Sequence, residues 1–215
     1  SAQSHFENAA KLKNKRKFII DMTPSSLGKP IVPSVNLDSI ASETNVSMVS
    51  CGGQSSIPIA SALHSASKLI DYIEVVSSIA SESAGPATRR NIDEYIKSTE
   101  SSLSKFTKGC ASKVILILNP ATPPIHMQTT ISAKVVNPDI KSICEAVEEK
   151  VLKVNKHVPG YELLVPPKQI GSDRIVCMLK VTGCGDYLPS YAGNLDIINC
   201  AAIEVAEKKA RTLNS

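Results

Sequence analysis

The stretch Met48-Val49-Ser50-Cys51-Gly52-Gly53-Gln54 joins an apolar run of strand character to a pair of glycines. Beyond it, residues 57–69 carry the amphipathic pattern of a helix. This order places a thiol where a strand hands over to a helix N-terminus. Unpaired backbone N–H groups and the helix dipole favour a thiolate there. An unperturbed cysteine is only roughly 3% thiolate at pH 7, so a nucleophile needs a site that lowers its pKa. The same residues also fit a small buried hydrophobe ahead of a glycine turn.

Outward from Cys51 the chain alternates strands and helices. Upstream, residues 1–15 read as a short polar helix and Phe18-Ile19-Ile20 as a buried strand closed by Asp21 and Pro24. Residues 25–37, with Gly28, Pro30 and Pro33, read as a loop, since proline is excluded from helix interiors. Downstream, Tyr72-Ile73-Glu74-Val75-Val76 has strand composition, and a small-residue loop follows from Ser81 to Thr88. Asn91, with Glu94 three residues on, starts a helix in capping-box fashion, its apolar face formed by Ile92, Tyr95, Ile96, Leu103 and Phe106. Strands are expected over 113–118, 125–136 and 175–181. Helices are expected through Ile140, Ile143, Val147, Val151, Val154 and Val158, and over 196–213. The pattern implies an α/β (α+β) fold, a mixed sheet with helices mainly on one face. The glycine fingerprint of dinucleotide-binding folds is absent; Gly183-Cys184-Gly185 lacks a third glycine.

With 215 residues, 42% of them hydrophobic and 20% charged, the chain can bury a sizeable core. A net charge of +4 is mild, and the basic cluster 11–17 has no interleaved aromatics, so it reads as a solvated helix end rather than a nucleic-acid patch. Six cysteines at 51, 110, 144, 177, 184 and 200 form no CxxC pair and no His–Cys spacing suited to zinc, so no metal site is expected. Their irregular spacing fits reduced thiols in a reducing compartment, cytoplasm or mitochondrial matrix. No apolar run approaches membrane-spanning length, and no signal peptide is recognised.

Five stretches, in order, resemble the CoA-acylating acetaldehyde dehydrogenases. They are Asp21-Met22-Thr23-Pro24, the segment 47–58 around Cys51, the segment 83–94 from Ser83 to Glu94, Asn119-Pro120-Ala121-Thr122-Pro123-Pro124, and the segment 187–196 from Tyr187 to Asp196. The resemblance implies enzymes that oxidise a short aldehyde with NAD and pass the acyl group to coenzyme A. It implies Cys51 as the nucleophile, forming a thiohemiacetal and then a thioester. It implies NAD contacts along Ser83, Ala84, Gly85, Pro86, Ala87, Thr88, Arg89, Arg90 and Asn91, and at Asn194. It further implies a fold like the catalytic and dimerisation domain of glyceraldehyde-phosphate-dehydrogenase-like enzymes, a homo-oligomer, and a partner aldolase as in bacterial relatives. In these terms residues 1–46 are a remnant of the dinucleotide-binding domain and its connection, 47–194 the catalytic and dimerisation domain, and 195–215 a C-terminal helix.

Three positions depart from the family pattern. The Rossmann half with its glycine fingerprint is expected upstream of Ser1. The Arg-Asp pair that the family carries, in which the Asp assists the cysteine, reads Gln128-Thr129 here, and a hydroxyl supplies no carboxylate charge. Ala87 stands where the family has glycine. Two readings follow: an acylating dehydrogenase impaired as an isolated chain, or a non-catalytic structural or interaction subunit derived from that family, with no cofactor bound. His64 and His126 lie nearest the expected site, and neither pattern marks a replacement base.

Overall fold

The computed structural model describes residues 2–12 and 17–213. Of the basic cluster, residues 13–16 lie outside the described part, as do Ser1 and residues 214–215. The elements run α1 (Ala2–Leu12), β1 (Ile19–Asp21), β2 (Lys29–Pro30), α2 (Pro33–Asn36), β3 (Asn45–Ser47), α3 (Cys51–Ala66), β4 (Ile70–Ala80), α4 (Pro86–Arg90) and α5 (Ile92–Phe106). Then come β5 (Ala111–Asn119), β6 (Met127–Val135), α6 (Ile140–Asn155), β7 (Tyr161–Ile170), β8 (Arg174–Val181) and α7 (Gly193–Leu213).

The main sheet has five strands in the order β5-β4-β6-β8-β7. β4 and β5 are parallel, and the other pairs are antiparallel. Alternation along each strand decides which face is covered. Ile73, Val75, Ile131, Cys177 and Leu179 point inward and are fully buried with Ile57 and Leu63 of α3 and Ile143 and Val147 of α6. Among the described residues no helix covers the opposite face. Cross-strand partners there form an apolar row, Ile115–Val76–Thr130–Met178–Val165, and Ile115 and Ile117 are 40% and 43% exposed.

A second, smaller sheet of parallel strands in the order β1-β3-β2 flanks the first. Its Val46, with Ile31, Ile40 and Met48, packs against Ala201 and Val205 of α7. Earlier along α7, Ile197 belongs to the main core, so this helix joins the two packing units.

Four local features differ from the sequence reading or go beyond it. Residues 25–37 are not wholly loop: β2 and α2 lie within them, and Pro33 occupies the first turn of α2, where a missing N–H costs nothing. β7 is a strand that its own prolines disguise. Pro166 and Pro167 are tolerated because β7 is an edge strand, paired only with β8, with register shifts between Leu163 and Lys168. Asn91 precedes α5 but its side chain makes no cap; its Nδ2 donates to the Ala87 carbonyl instead. The fourth concerns the helix at Cys51 and belongs to the site.

Candidate active site

α3 starts at Cys51 itself, so both glycines and Gln54 lie in its first turn rather than in a preceding loop. The turn into it is tight. β3 ends at Ser47, and Val49, fully buried, takes φ +64° with its N–H donated to Ser47 Oγ at 3.1 Å. A β-branched residue adopts that region only where its surroundings over-determine it, and such strain gathers at functional turns. Ser50, extended at φ −165°, is the N-cap: its Oγ accepts the Gly53 N–H at 2.8 Å. The Thr99 hydroxyl donates to the Tyr95 carbonyl at 2.6 Å, which leaves Ser50 as donor to Thr99 at 2.7 Å. The first turn of α3 is thereby tied to α5.

Close approach explains both glycines. A Cβ on Gly52 would lie 1.9 Å from the Tyr95 hydroxyl oxygen, and one on Gly53 would lie 2.6 Å from Val49 Cγ1. Gln54 locks the turn from below, its Nε2 donating to the carbonyls of Ile31 and Met48 at 2.8 and 2.9 Å.

Cys51 opens onto a cavity of about 170 Å³ that Met22, Pro24, Thr88, Asn91, Tyr95 and Asn194 help to line. Burial pushes its thiol up to about 11; the Tyr95 side chain and the first-turn amides of Gly52 and Cys51 act in the opposite direction. The helix N-terminus is present as the spacing implied, yet desolvation outweighs it. Cys51 keeps partial exposure to the cavity, and the direction of the shift opposes the thiolate that the helix N-terminus by itself would favour. Tyr95 is itself raised well above its ordinary range, first by burial and then by proximity to Cys51. It is a phenol, a donor, at any working pH.

Thr129 lies away from the cavity. It is fully buried on the inner face of β6, accepts a hydrogen bond from Ser55 Oγ at 2.9 Å, and sits 3.3 Å from Ser77 Oγ on β4. Ser77 in turn acts on Tyr95. Position 129 is thus held by neighbouring hydroxyls and does not line the cavity. His64 and His126 do not line the cavity either; His126 Nδ1 lies 3.1 Å from the Ser190 carbonyl oxygen.

The segment 83–91 divides. Ala87, Thr88 and Asn91 line the cavity with Asn194. Ser83 and Ala84 are buried behind it, Ser83 Oγ donating to the Ala80 carbonyl at 2.8 Å. Gly85 and Pro86 form the exposed start of α4, and Arg90 is exposed as well. Arg89 folds back on the turn, donating to the carbonyls of Ala84 and Ser81 at 2.9 and 3.0 Å. Asn194, in the first turn of α7 and 2% exposed, donates through Nδ2 to the Ser83 carbonyl at 3.5 Å. That contact orients the amide and leaves Oδ1 buried with no partner among the described residues. An unpartnered buried acceptor beside the thiol suits an amide-bearing group such as the carboxamide of a nicotinamide.

Sequence reasoning placed Tyr95 on the apolar face of α5, which accounts for its ring. The signal for its hydroxyl is the glycine at 52, and it becomes visible only once α3 and α5 are packed together.

All but a sliver of this chain superposes on a dehydrogenase fold. Aspartate semialdehyde dehydrogenase II from Vibrio cholerae matches with a TM-score of 0.69 over 98% of this chain and 75% of its own, at 12% identity. The fold is of the glyceraldehyde-phosphate-dehydrogenase-like class. Residues 51–189 match the family profile described as prokaryotic acetaldehyde dehydrogenase, dimerisation. Acetaldehyde dehydrogenases from Pectobacterium atrosepticum, Spirochaeta aurantia and Carboxydothermus hydrogenoformans are 55%, 48% and 46% identical, over 96%, 98% and 99% of this chain and 70%, 71% and 71% of theirs. The chain belongs to the acetaldehyde dehydrogenase family. These relatives are bacterial and give a mitochondrial compartment no support. Among the described residues no helix is long and apolar enough to cross a membrane.

Proposed function

We propose that the chain is the catalytic and dimerisation part of an acylating acetaldehyde dehydrogenase, with Cys51 as its nucleophile. The observation that carries this reading is the convergence of Cys51, at the start of α3, and Asn194, with its unpartnered amide oxygen, on one cavity. The Cys51 sulfur adds to the aldehyde carbonyl carbon to give a thiohemiacetal. Bound NAD would accept the hydride that converts this adduct into a thioester. The thiol of coenzyme A then takes the acyl group, and the cysteine sulfur leaves with its electron pair.

The residues that would hold the nicotinamide end are Asn194, Thr88, Asn91 and Ala87 on the cavity wall, with Ser83, Ala84 and Arg89 supporting them and Gly85, Pro86 and Arg90 at the rim. The first turn of α3 favours negative charge on the sulfur and on the adduct oxygen. Residues 1–46 read as the end of a dinucleotide-binding unit, which their small parallel sheet supports. The bare apolar face of the main sheet supports pairing of two copies through it, in keeping with a dimerisation profile. A partner aldolase that feeds aldehyde to the cavity belongs to the same proposal. Cys51, the oriented amide of Asn194 and an open cavity together support the catalytic reading over a non-catalytic one.

The test is NADH formation from acetaldehyde, NAD and coenzyme A. Turnover that disappears in Cys51→Ala is the expected result; turnover that survives that substitution overturns the reading.

A further inference from the structure

Tyr95 places a phenol where a phenylalanine would fill the same space. The residue is 5% exposed, and its hydroxyl is buried with no hydrogen-bond partner among the described residues. That is an unfavourable arrangement for a side chain with a purely structural task. Its surroundings are built to admit the oxygen: a single methyl group on Gly52 would stand 1.9 Å from it and 3.1 Å from Ser77 Oγ. The cavity that holds Cys51 is lined by Tyr95 as well.

Ser55 Oγ donates to Thr129 Oγ1 at 2.9 Å, and Thr129 Oγ1 lies 3.3 Å from Ser77 Oγ, either of which can be the donor. The Tyr95 hydroxyl, with no partner of its own among the described residues, borders the cavity onto which Cys51 opens. No carboxylate, histidine or ammonium group takes part; the groups acting on the sulfur are the Tyr95 side chain and the backbone amides of the first turn.

We propose that Tyr95 is a catalytic residue of this chain, its phenolic O–H hydrogen-bonding the Cys51 sulfur in the thiolate form and thereby supplying from α5 the polar contact that position 129 does not. The proposal rests on Cys51 being the nucleophile. When the thiol ionises, its proton passes to water at the cavity mouth, and the anion accepts the O–H. The same bond re-forms when the thioester is cleaved: the carbon–sulfur bond to Cys51 breaks, its electron pair returns to sulfur, and the phenol receives that charge. Tyr95 keeps its own proton throughout. Burial supports this role, since it holds the phenol protonated far above neutral pH.

The test reads Cys51 directly and needs neither substrate nor cofactor. The rate of iodoacetamide alkylation of Cys51, followed by peptide mass spectrometry from pH 7 to 11, gives the thiol's apparent pKa in the full chain. A hydrogen bond to a charged acceptor is worth about tenfold or more in such an equilibrium, so Tyr95→Phe is expected to slow alkylation about tenfold at fixed pH and raise the apparent pKa. Replacement of the five tyrosines by 3-fluorotyrosine keeps every ring and makes the phenols more acidic. The apparent pKa of Cys51 then falls, an effect that loss of packing cannot mimic. A Tyr95→Phe protein that melts like the wild type and alkylates at the same rate overturns the proposal. If Tyr95→Phe does not fold, the fluorotyrosine protein decides alone, and an unmoved Cys51 pKa overturns the proposal. Turnover that persists in Cys51→Ala removes the nucleophile reading. Cys51-dependent turnover together with unaltered alkylation in Tyr95→Phe removes only the role of Tyr95.

Discussion

Gly52→Ala adds one methyl group at the most crowded point of the site. The new Cβ would stand 1.9 Å from the Tyr95 hydroxyl oxygen, 2.9 Å from its Cζ and 3.1 Å from Ser77 Oγ. Tyr95 is buried, its backbone carbonyl is held by Thr99, which also binds the N-cap Ser50, and the one opening beside its ring is the cavity it lines with Cys51. Either the ring leaves the sulfur or the start of α3 moves. Overpacking of this kind costs about 1–3 kcal/mol, and an overlap of more than an ångström with a buried side chain belongs at the upper end. Replacing glycine by alanine inside a helix returns up to about 1 kcal/mol. The net loss is about 2 kcal/mol, which for a chain of this size lowers the melting temperature by about 4–8 °C. Thermal melting followed by circular dichroism measures it. Combining Gly52→Ala with Tyr95→Phe removes the nearest contact, so the glycine substitution should cost less in that background than alone. Additive effects of the two substitutions, or an unchanged melting temperature in Gly52→Ala, would refute the reasoning.

Ser50→Ala removes the N-cap of α3 and its link to Thr99, so a loss of about 1 kcal/mol is expected in chemical denaturation; a midpoint shift near zero contradicts it. Asn194→Ala removes the oriented amide beside the thiol, and the KM for NAD should rise roughly three- to tenfold while Cys51 alkylation is unchanged; an unaltered KM removes Asn194 from the cofactor site. Met178→Lys places a charge in the middle of the apolar outer row of the main sheet, and sedimentation should show self-association weakened about a hundredfold; an unchanged mass would move the contact between copies elsewhere.

Much of the architecture is legible in the sequence because it rests on periodicity. The β-branched and aromatic content of residues 72–76 marks β4, and the three- and four-residue steps through α6 describe its buried face. Residues 113–118, by contrast, read as a buried strand and form the edge strand β5, with Ile115 and Ile117 exposed. The misreadings share a physical origin in context. β7 contains two prolines that argue against a strand until its edge position makes their missing N–H groups harmless. The start of α3 hides behind two glycines of low helix propensity, tolerated because Tyr95 and Val49 need the space. Cys51 could be placed at a helix start from its spacing alone, but its protonation depends on how deeply α5 and the Asp21–Pro24 turn enclose it. The resemblance pointed to position 129, and the fold buries that residue among the Ser55 and Ser77 hydroxyls, outside the lining of the cavity.

The energetics of the thiol explain why neutral hydroxyls matter there. A rise from 9.0 to about 11 corresponds to about 3 kcal/mol against the thiolate. A helix N-terminus typically contributes about 0.3–1 kcal/mol in favour of an anion, and up to about 2 where partly buried. A hydrogen bond from a neutral donor to a charged acceptor contributes about 1.5–3 kcal/mol. The rise to about 11 is what remains after the Tyr95 side chain and the first-turn amides have acted against burial, so the desolvation by itself is larger than that rise. A carboxylate at position 129 would not obviously improve on this balance, since Thr129 is fully buried and a charge there would carry its own desolvation cost. Neutral donors raise no second buried charge beside the sulfur. The arrangement therefore weighs against the thiolate while the cavity is at rest and stabilises the anion only when it forms, which is the differential stabilisation that catalysis by a buried nucleophile requires.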